Sequence, residues 1–377
     1  MEVIAGQPSW KFASDQVEAA VTQMGGQLGP VRFHLGANVI EPFSIAPWAE
    51  EKNAVDLPML QALRGDFFCA PFGASDLLYQ GENHPPHGET ANAQWHFESC
   101  QTEAERTILH LSLNPKIRSG RVDKRIELRT GQTAIYCQHI LSGMTGKMNF
   151  GHHPMLKFPE SAESGHITTS PIRWGQVAPL PLENPAQGGR SALMPGASFE
   201  NLNRVPCESG GTTDVSRYPA RPGFEDLLMF VHQDRPDFAW TAVAFPDQGY
   251  VWFALKDPRV LQSTIFWISN GGRPYPPWNG RHLGVMGLED VTSYFHYGLP
   301  ESAQENAVTR AGFATSVELD PLNPLVVNYI MGVAAIPKHF SSVASIETAE
   351  NSITLISPEG DRIQTPVEIS HLYKTTP

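Results

Sequence analysis

The sequence predicts an all-β fold, a large antiparallel β-sandwich, and three observations carry that expectation. Strand-like runs follow one another at a spacing of roughly 10 to 12 residues, as they do in sandwich proteins. The residues between the runs are turn formers, among them Ser119-Gly120, Thr130-Gly131 and Asn270-Gly271-Gly272, whose backbone preferences close hairpins. The chain of 377 residues also holds 32 glycines and 32 prolines, about one residue in six where roughly 12% is usual. Many turns and few long helices follow.

Taken in order, a short helix is expected around Ser14 to Met24, and Val31 to Ile40 alternates apolar and polar residues as a strand does. Pro42, Pro47 and Pro58 punctuate a connection, and a loop-rich face follows from Gly65-Asp66-Phe67-Phe68-Cys69 to His84-Pro85-Pro86-His87-Gly88-Glu89. Thr107 to Leu113, Val122 to Arg129 and Ala134 to Leu141 read as an antiparallel meander. Residues between Pro159 and Gly223 read as a long irregular excursion with short strands, of the kind that often serves function. A second meander is expected from Leu227 to His232, Phe238 to Phe245, Tyr250 to Leu255 and Ser263 to Ser269. Glu301 to Arg310 suits a short helix, and Ser352 to Ile356 with Arg362 to Ile369 suit a hairpin about Pro358-Glu359-Gly360-Asp361. Length alone allows one big β domain or two ordinary ones. With no internal repeat or low-complexity run, the expectation is a single domain over 1–377 carrying a C-terminal extension at about 310–377.

The formal net charge of −12 would repel a phosphate backbone, so nucleic acid is not an expected partner. The first residues lack the basic and apolar regions of a signal peptide, and no run of about 18 apolar residues occurs. No membrane association and a cytoplasmic location are therefore expected. Cys69, Cys100, Cys137 and Cys207 form no C-x-x-C pair, which suggests reduced thiols rather than a zinc site or a disulfide framework.

Chemistry concentrates in three polar clusters at the edges of strand-like runs: His84-x-x-His87-Gly-Glu89, His152-His153-Pro154 and Gly287-Leu288-Glu289-Asp290-Val291-Thr292. Neighbouring residues on a strand point to opposite faces, so one of His152 and His153 faces a site while the other packs or faces water. Pro154 cannot donate to a sheet ladder, which puts His153 at a strand end. One explanation is a metal held by His84, His87 and Glu89, with His96 or His153 completing the set, although H-x-x-H on a loop is no standard zinc signature. The other is a carboxylate base and an imidazole acid around a polar substrate, for which Glu289 and His153 are the candidates.

Pro86-His87-Gly88-Glu89 with Trp95, Asn149-Phe150-Gly151-His152-His153-Pro154-Met155-Leu156, Glu225-Asp226-Leu227-Leu228 and Gly287-Leu288-Glu289-Asp290-Val291-Thr292 resemble, in order and spacing, the motifs of the aldose 1-epimerase (galactose mutarotase) family. The resemblance covers roughly residues 25 to 300. It implies the galactose mutarotase-like supersandwich and an isomerase that interconverts sugar anomers by acid-base ring opening and reclosure, with no cofactor. It further implies that His153 is the general acid and Glu289 the base, and that His87 and Asp226 bind the sugar. His152 stands in the place of the motif's asparagine, beside the substrate. The family's upstream arginine is missing from Ala70 to Leu78, where Asp76 or the nearby Asn83 is the substitute at hand. That departure points away from unmodified galactose, towards another sugar or a phosphorylated or acidic one, for which Arg64, Arg121, Arg125 and Lys157 offer positive charge. Phe67, Phe68, Phe72, Trp95 and Trp278 could line a sugar's apolar face or fill the core. The segment past about residue 310 lies outside the resemblance, free to cover the site, lengthen the sheet or join a second subunit as a homodimer. A carbohydrate-binding protein without turnover, or a metal-dependent sugar isomerase using His84, His87 and Glu89, are the alternatives.

Overall fold

The computed structural model describes residues 1–51, 55–233 and 237–375. Two large antiparallel sheets face each other. The nine-stranded sheet runs, edge to edge, Arg217–Tyr218, Gly165–Thr169, Ala239–Phe245, Tyr250–Lys256, Leu325–Ala335, Ala134–Ser142, Arg121–Arg129, Arg106–Leu113 and His96–Glu103. The seven-stranded sheet runs Ile172–Val177, Phe224–His232, Ser263–Asn270, Val285–Thr292, Phe150–His152 and Phe68–Cys69, with Met155–Lys157 added beside Val285–Thr292. No helix among the described residues is long and apolar enough to cross a membrane.

Strand alternation sorts the seven-stranded sheet into two faces. Leu228, Phe266 and Leu288 pair in one row across three strands and pack into the sandwich core with Trp252, Tyr329 and Met331 of the other sheet. The next row, Leu227, Trp267 and Gly287, points the other way. That outer face is covered by Trp48, Met59, Leu63 and Trp278 from loops and from the short helix Pro58–Ala62.

Most expected runs form strands, but the second meander does not stay in one sheet. Ala239–Phe245 and Tyr250–Lys256 join the nine-stranded sheet, whereas Phe224–His232 and Ser263–Asn270 join the other. All seven residues of each of the first two strands are buried, so no polar alternation marks which sheet they enter. The stretch Ser14 to Met24 is not helical. Val17–Thr22 is a strand paired with Gln7–Ala13 and Leu28–Leu35 in a five-stranded N-terminal sheet, with Val17, Ala19 and Val21 inward and Glu18 outward. The expected helix from Glu301 to Arg310 is two, Gly298–Ser302 and Ala307–Arg310, separated where the Asn306 side chain caps the second by accepting from the Val308 and Thr309 N–H groups.

The described part of the C-terminal segment, 310–375, contributes to the large sheet. Its strand Leu325–Ala335, at 11 residues the longest among the described residues, lies in the middle of the nine-stranded sheet between Tyr250–Lys256 and Ala134–Ser142. The following strands, Ser345–Ala349, Ser352–Ile356 and Arg362–Pro366, form a three-stranded sheet. Ile346, Ile353, Leu355 and Val367 pack on the outer face of the large sheet against Tyr136, Trp240, Phe253 and Ile330.

Candidate active site

The outer face of the seven-stranded sheet holds a cavity of about 110 Å³. Sheet register decides what meets there. Gly151 pairs with Val291 and Met155 with Gly287, so the register passes unshifted through Pro154 and sets His153 opposite Glu289. Directly opposed residues on a sheet share a face. His153 Nε2 lies 3.1 Å from Glu289 Oε1. The His153 N–H continues the ladder to the neighbouring strand at the Phe67 carbonyl (3.0 Å) and is shared with the Asp66 carboxylate (2.9 Å), while the Pro154 carbonyl still accepts the Leu288 N–H at 2.8 Å. Gly287 makes the carboxyl's room: a Cβ there would sit 2.5 Å from Glu289 Oε1.

The His153 ring stacks on Phe67 at 4.5 Å between centroids, and His87 meets it edge-on at 5.1 Å. His87 occupies the left-handed backbone region (φ 60°) just before the helix Gly88–Asn92. Its Nδ1 accepts from the Gly73 N–H at 3.4 Å, with the Cys69 thiol at 3.3 Å. An accepting Nδ1 assigns the ring proton to Nε2, leaving a donor on a nitrogen that pairs with no other group among the described residues.

Both members of the central pair are buried, Glu289 at 2% exposure and His153 at 5%. Burial pushes the Glu289 carboxyl well above the usual carboxylate range and the His153 imidazole down to about 4. Burial thus favours the uncharged form of each partner, a carboxylic acid hydrogen-bonded to a neutral imidazole with one proton between them. Such a pair titrates as a unit. His296 on the same wall is likewise lowered, to about 4, by burial and then by the charge of Arg273.

Arg273 supplies the cation among the described lining residues. Its guanidinium lies 4.4 Å over the Trp278 ring and 5.3 Å from that of Trp267. It pairs with Glu183 at 2.6 Å and stands 3.9 Å from Glu225, which also accepts from Trp267 Nε1 and Ser269 Oγ. Met59, Leu60, Leu63, Leu182 and Leu227 complete an apolar side of the cavity.

Of the expected residues, the structure brings His153, Glu289 and His87 together on this cavity. His152 and Asp226 are corrections. His152 lies on the opposite face of its strand, fully buried in the sandwich, with Nδ1 2.8 Å from Asp66 Oδ2 and its ring stacked on Tyr329 at 4.4 Å. Asp226 shares the core-side parity of Leu228, and it accepts the N–H groups of Ala192 and Leu193 while its neighbour Leu227 takes the cavity side. The metal alternative also comes apart. His84 Nε2 contacts Glu82 at 2.9 Å, and Glu89 accepts from the Lys116 and Ile117 N–H groups, so of His84, His87 and Glu89 only His87 reaches the cavity. Among the described residues no three His, Cys, Asp or Glu side chains are grouped to hold a metal ion.

Three of the four expected cations are engaged elsewhere. Arg64 donates to the Ile4, Ala5 and Ala62 carbonyls, Arg121 pairs with Asp123 and Glu98, and Lys157 donates to the Leu283 carbonyl. Sequence reasoning missed Arg273, His296 and Trp267. The one available signal for Arg273 was its place just after the Asn270-Gly271-Gly272 turn at a strand end, where sites are commonly built.

No family model and no curated protein matches the chain. Solved structures do. A protein from Escherichia coli K12 provisionally described as an aldose 1-epimerase is 13% identical, with 88% of this chain and 100% of that chain covered at a TM-score of 0.59. A galactose mutarotase related enzyme from Lactobacillus acidophilus is 11% identical, with 88% and 98% covered at 0.55. A galactose mutarotase-like protein from Clostridium acetobutylicum is 12% identical, with 89% and 98% covered at 0.55. The chain thus has the galactose mutarotase-like β-sandwich fold.

Proposed function

We propose that the chain is an aldose 1-epimerase-like isomerase in which His153 and Glu289 move one proton between the two oxygens of a sugar's anomeric carbon. The carrying observation is the 3.1 Å contact between His153 Nε2 and Glu289 Oε1 on the cavity wall. The anomeric hydroxyl and the ring oxygen are bonded to the same carbon. A proton acceptor and a donor for them must therefore stand side by side, as these two groups do.

Moving the shared proton from Oε1 to Nε2 turns the resting neutral pair into carboxylate and imidazolium without changing its net charge. The Glu289 carboxylate then takes the proton of the anomeric hydroxyl, the C1–O1 bond becomes a carbonyl, and the bond from C1 to the ring oxygen breaks. His153 delivers its proton to that ring oxygen. Rotation about C1–C2 and the reverse sequence close the other anomer. Each positioned group supplies about 10² to 10⁴ in rate. In this reading His87 Nε2–H and Arg273 on the cavity wall hold other hydroxyls, and Trp267 and Trp278 offer flat apolar surface for the ring's C–H face.

Charge bears on the substrate. Arg273 is already matched by Glu183 and Glu225, so the described lining offers no spare positive charge for a phosphate or a carboxylate. That favours an uncharged aldose over the phosphorylated or acidic sugar expected from the missing upstream arginine. The test is NMR anomer exchange over a sugar panel. Glu289→Gln should lower the exchange rate at least about 100-fold while sugar binding, read from tryptophan fluorescence, survives. A wild-type protein that binds sugars yet equilibrates none faster than buffer would instead be a carbohydrate-binding module.

A further inference from the structure

We infer that Asp66, a residue outside the cavity, is a positioning residue for His153. The inference rests on the acid-base reading of the pair, and it arises on the far side of the sheet. One Asp66 oxygen accepts the His153 N–H at 2.9 Å and the other accepts from His152 Nδ1 at 2.8 Å. The carboxylate thus grips the His152–His153 step from both residues, beside the ladder bond from the His153 N–H to the Phe67 carbonyl. Asp66 is 3% exposed, and its own backbone is fixed by reciprocal bonds with Leu28 at 2.7 and 3.1 Å.

Glu289 is steadied from the same side. His152 stacks on Tyr329, whose hydroxyl donates to Asp290 Oδ2 at 2.7 Å, and Asp290 also binds Lys256 and Thr264. Asp290 adjoins Glu289 in sequence, so one buried polar chain reaches from beneath the proposed acid to beneath the proposed base.

Asp66 also contributes charge. Although burial alone would raise its carboxyl, the neighbouring His152 and Lys124 hold it below the usual range, so it is an anion. A buried anion behind His153 favours the imidazolium form that the working pair needs. The groups facing His153 are Glu289, His87 and Asp66, with His296 and Arg273 in the same cavity. Those facing Asp66 are His152, Lys124, Cys69, Cys137 and Tyr329.

Asp66→Asn separates charge from shape, because the amide oxygen can still accept the His153 N–H. The expected result is a kcat about tenfold lower, in line with one pKa unit of lost charge stabilisation, with KM within about twofold and the acid limb of the pH–rate profile moved to lower pH. His152→Leu removes the donor to Asp66 and should lower kcat several-fold, whereas His152→Asn keeps a donor while losing the ring and should lower kcat less. If Asp66→Asn does not fold, the contrast between the two His152 variants decides. Histidine ¹⁵N NMR of the sugar-free protein reads the His153 titration directly, and in Asp66→Asn it should move to lower pH. That measurement holds even if no aldose is turned over, so failure of the epimerase reading is distinguishable from failure of this one. Wild-type kcat, acid limb and His153 titration in Asp66→Asn, or equal activity of the two His152 variants, would overturn the assignment.

Discussion

At the scale of single residues, Gly287 decides where the Glu289 carboxyl can lie. The two share a face of one strand, and a Cβ at Gly287 would come 2.5 Å from Glu289 Oε1 and 3.2 Å from the Trp267 Cβ. Gly287→Ala is therefore expected to push the carboxyl off His153 and to lower kcat by about 10- to 100-fold, since displacement of about 1 Å at a reacting group costs up to that much. Melting temperature measured alongside kcat separates this from simple unfolding. The pair also sets a pH dependence. It works while it carries one proton, and burial depresses His153 to about 4 while raising Glu289. Anomer exchange should accordingly fall as pH drops through about 4, where the pair gains a second proton. Loss of activity already at about pH 6.5, the ordinary value for histidine, would contradict a buried His153.

At the scale of elements, the strand Leu325–Ala335 shows why burial on both faces hides a strand from sequence. Every residue from Val327 to Ala334 is buried, and only the strand's two ends reach towards solvent. A central strand covered by layers on both sides shows no period of two. Its removal has a clear consequence. Deleting residues 311–377 would leave Tyr250–Lys256 and Ala134–Ser142 with unpaired edges in the middle of the large sheet. The truncated chain is expected to be insoluble or unfolded by circular dichroism and size exclusion. A soluble, sugar-active truncation would show that the segment is an accessory after all.

At the scale of the whole molecule, the core stores many uncharged histidines. Burial lowers His87, His139, His153, His232, His282, His296 and His371. Below about pH 6.5 the unfolded chain protonates these rings while the folded chain does not, so stability rises with pH in that range. Burial raises Glu225 and Asp226 to about 7, and Glu289 well above its usual range. Their contribution has the opposite sign: it is present below the unfolded carboxylate values and is lost as pH rises through about 7. These imidazoles outnumber the raised carboxyls below about pH 6, and the order reverses near neutrality, where the imidazoles of the unfolded chain have lost their protons too. The melting temperature is expected to peak near neutrality and to fall more steeply on the acid side, which a calorimetric series from about pH 4.5 to about pH 8.5 would check.

The sequence by itself determined the strand runs, their turns and the residue types at the site, because alternation, turn chemistry and the His153-Pro154 step are local properties of the chain. Alternation along the strand let only one of His152 and His153 face the site, yet the resemblance set His152 beside the substrate, and only the structure turned it into the core. Only the tertiary structure decided that His153 stands opposite Glu289, that Asp226 turns to the core while Leu227 faces the cavity, and that Arg273 rather than an upstream arginine joins them. Those are matters of register and parity between strands far apart in sequence. A shift of one residue would exchange every side chain across a face, and no local pattern in either strand fixes that pairing.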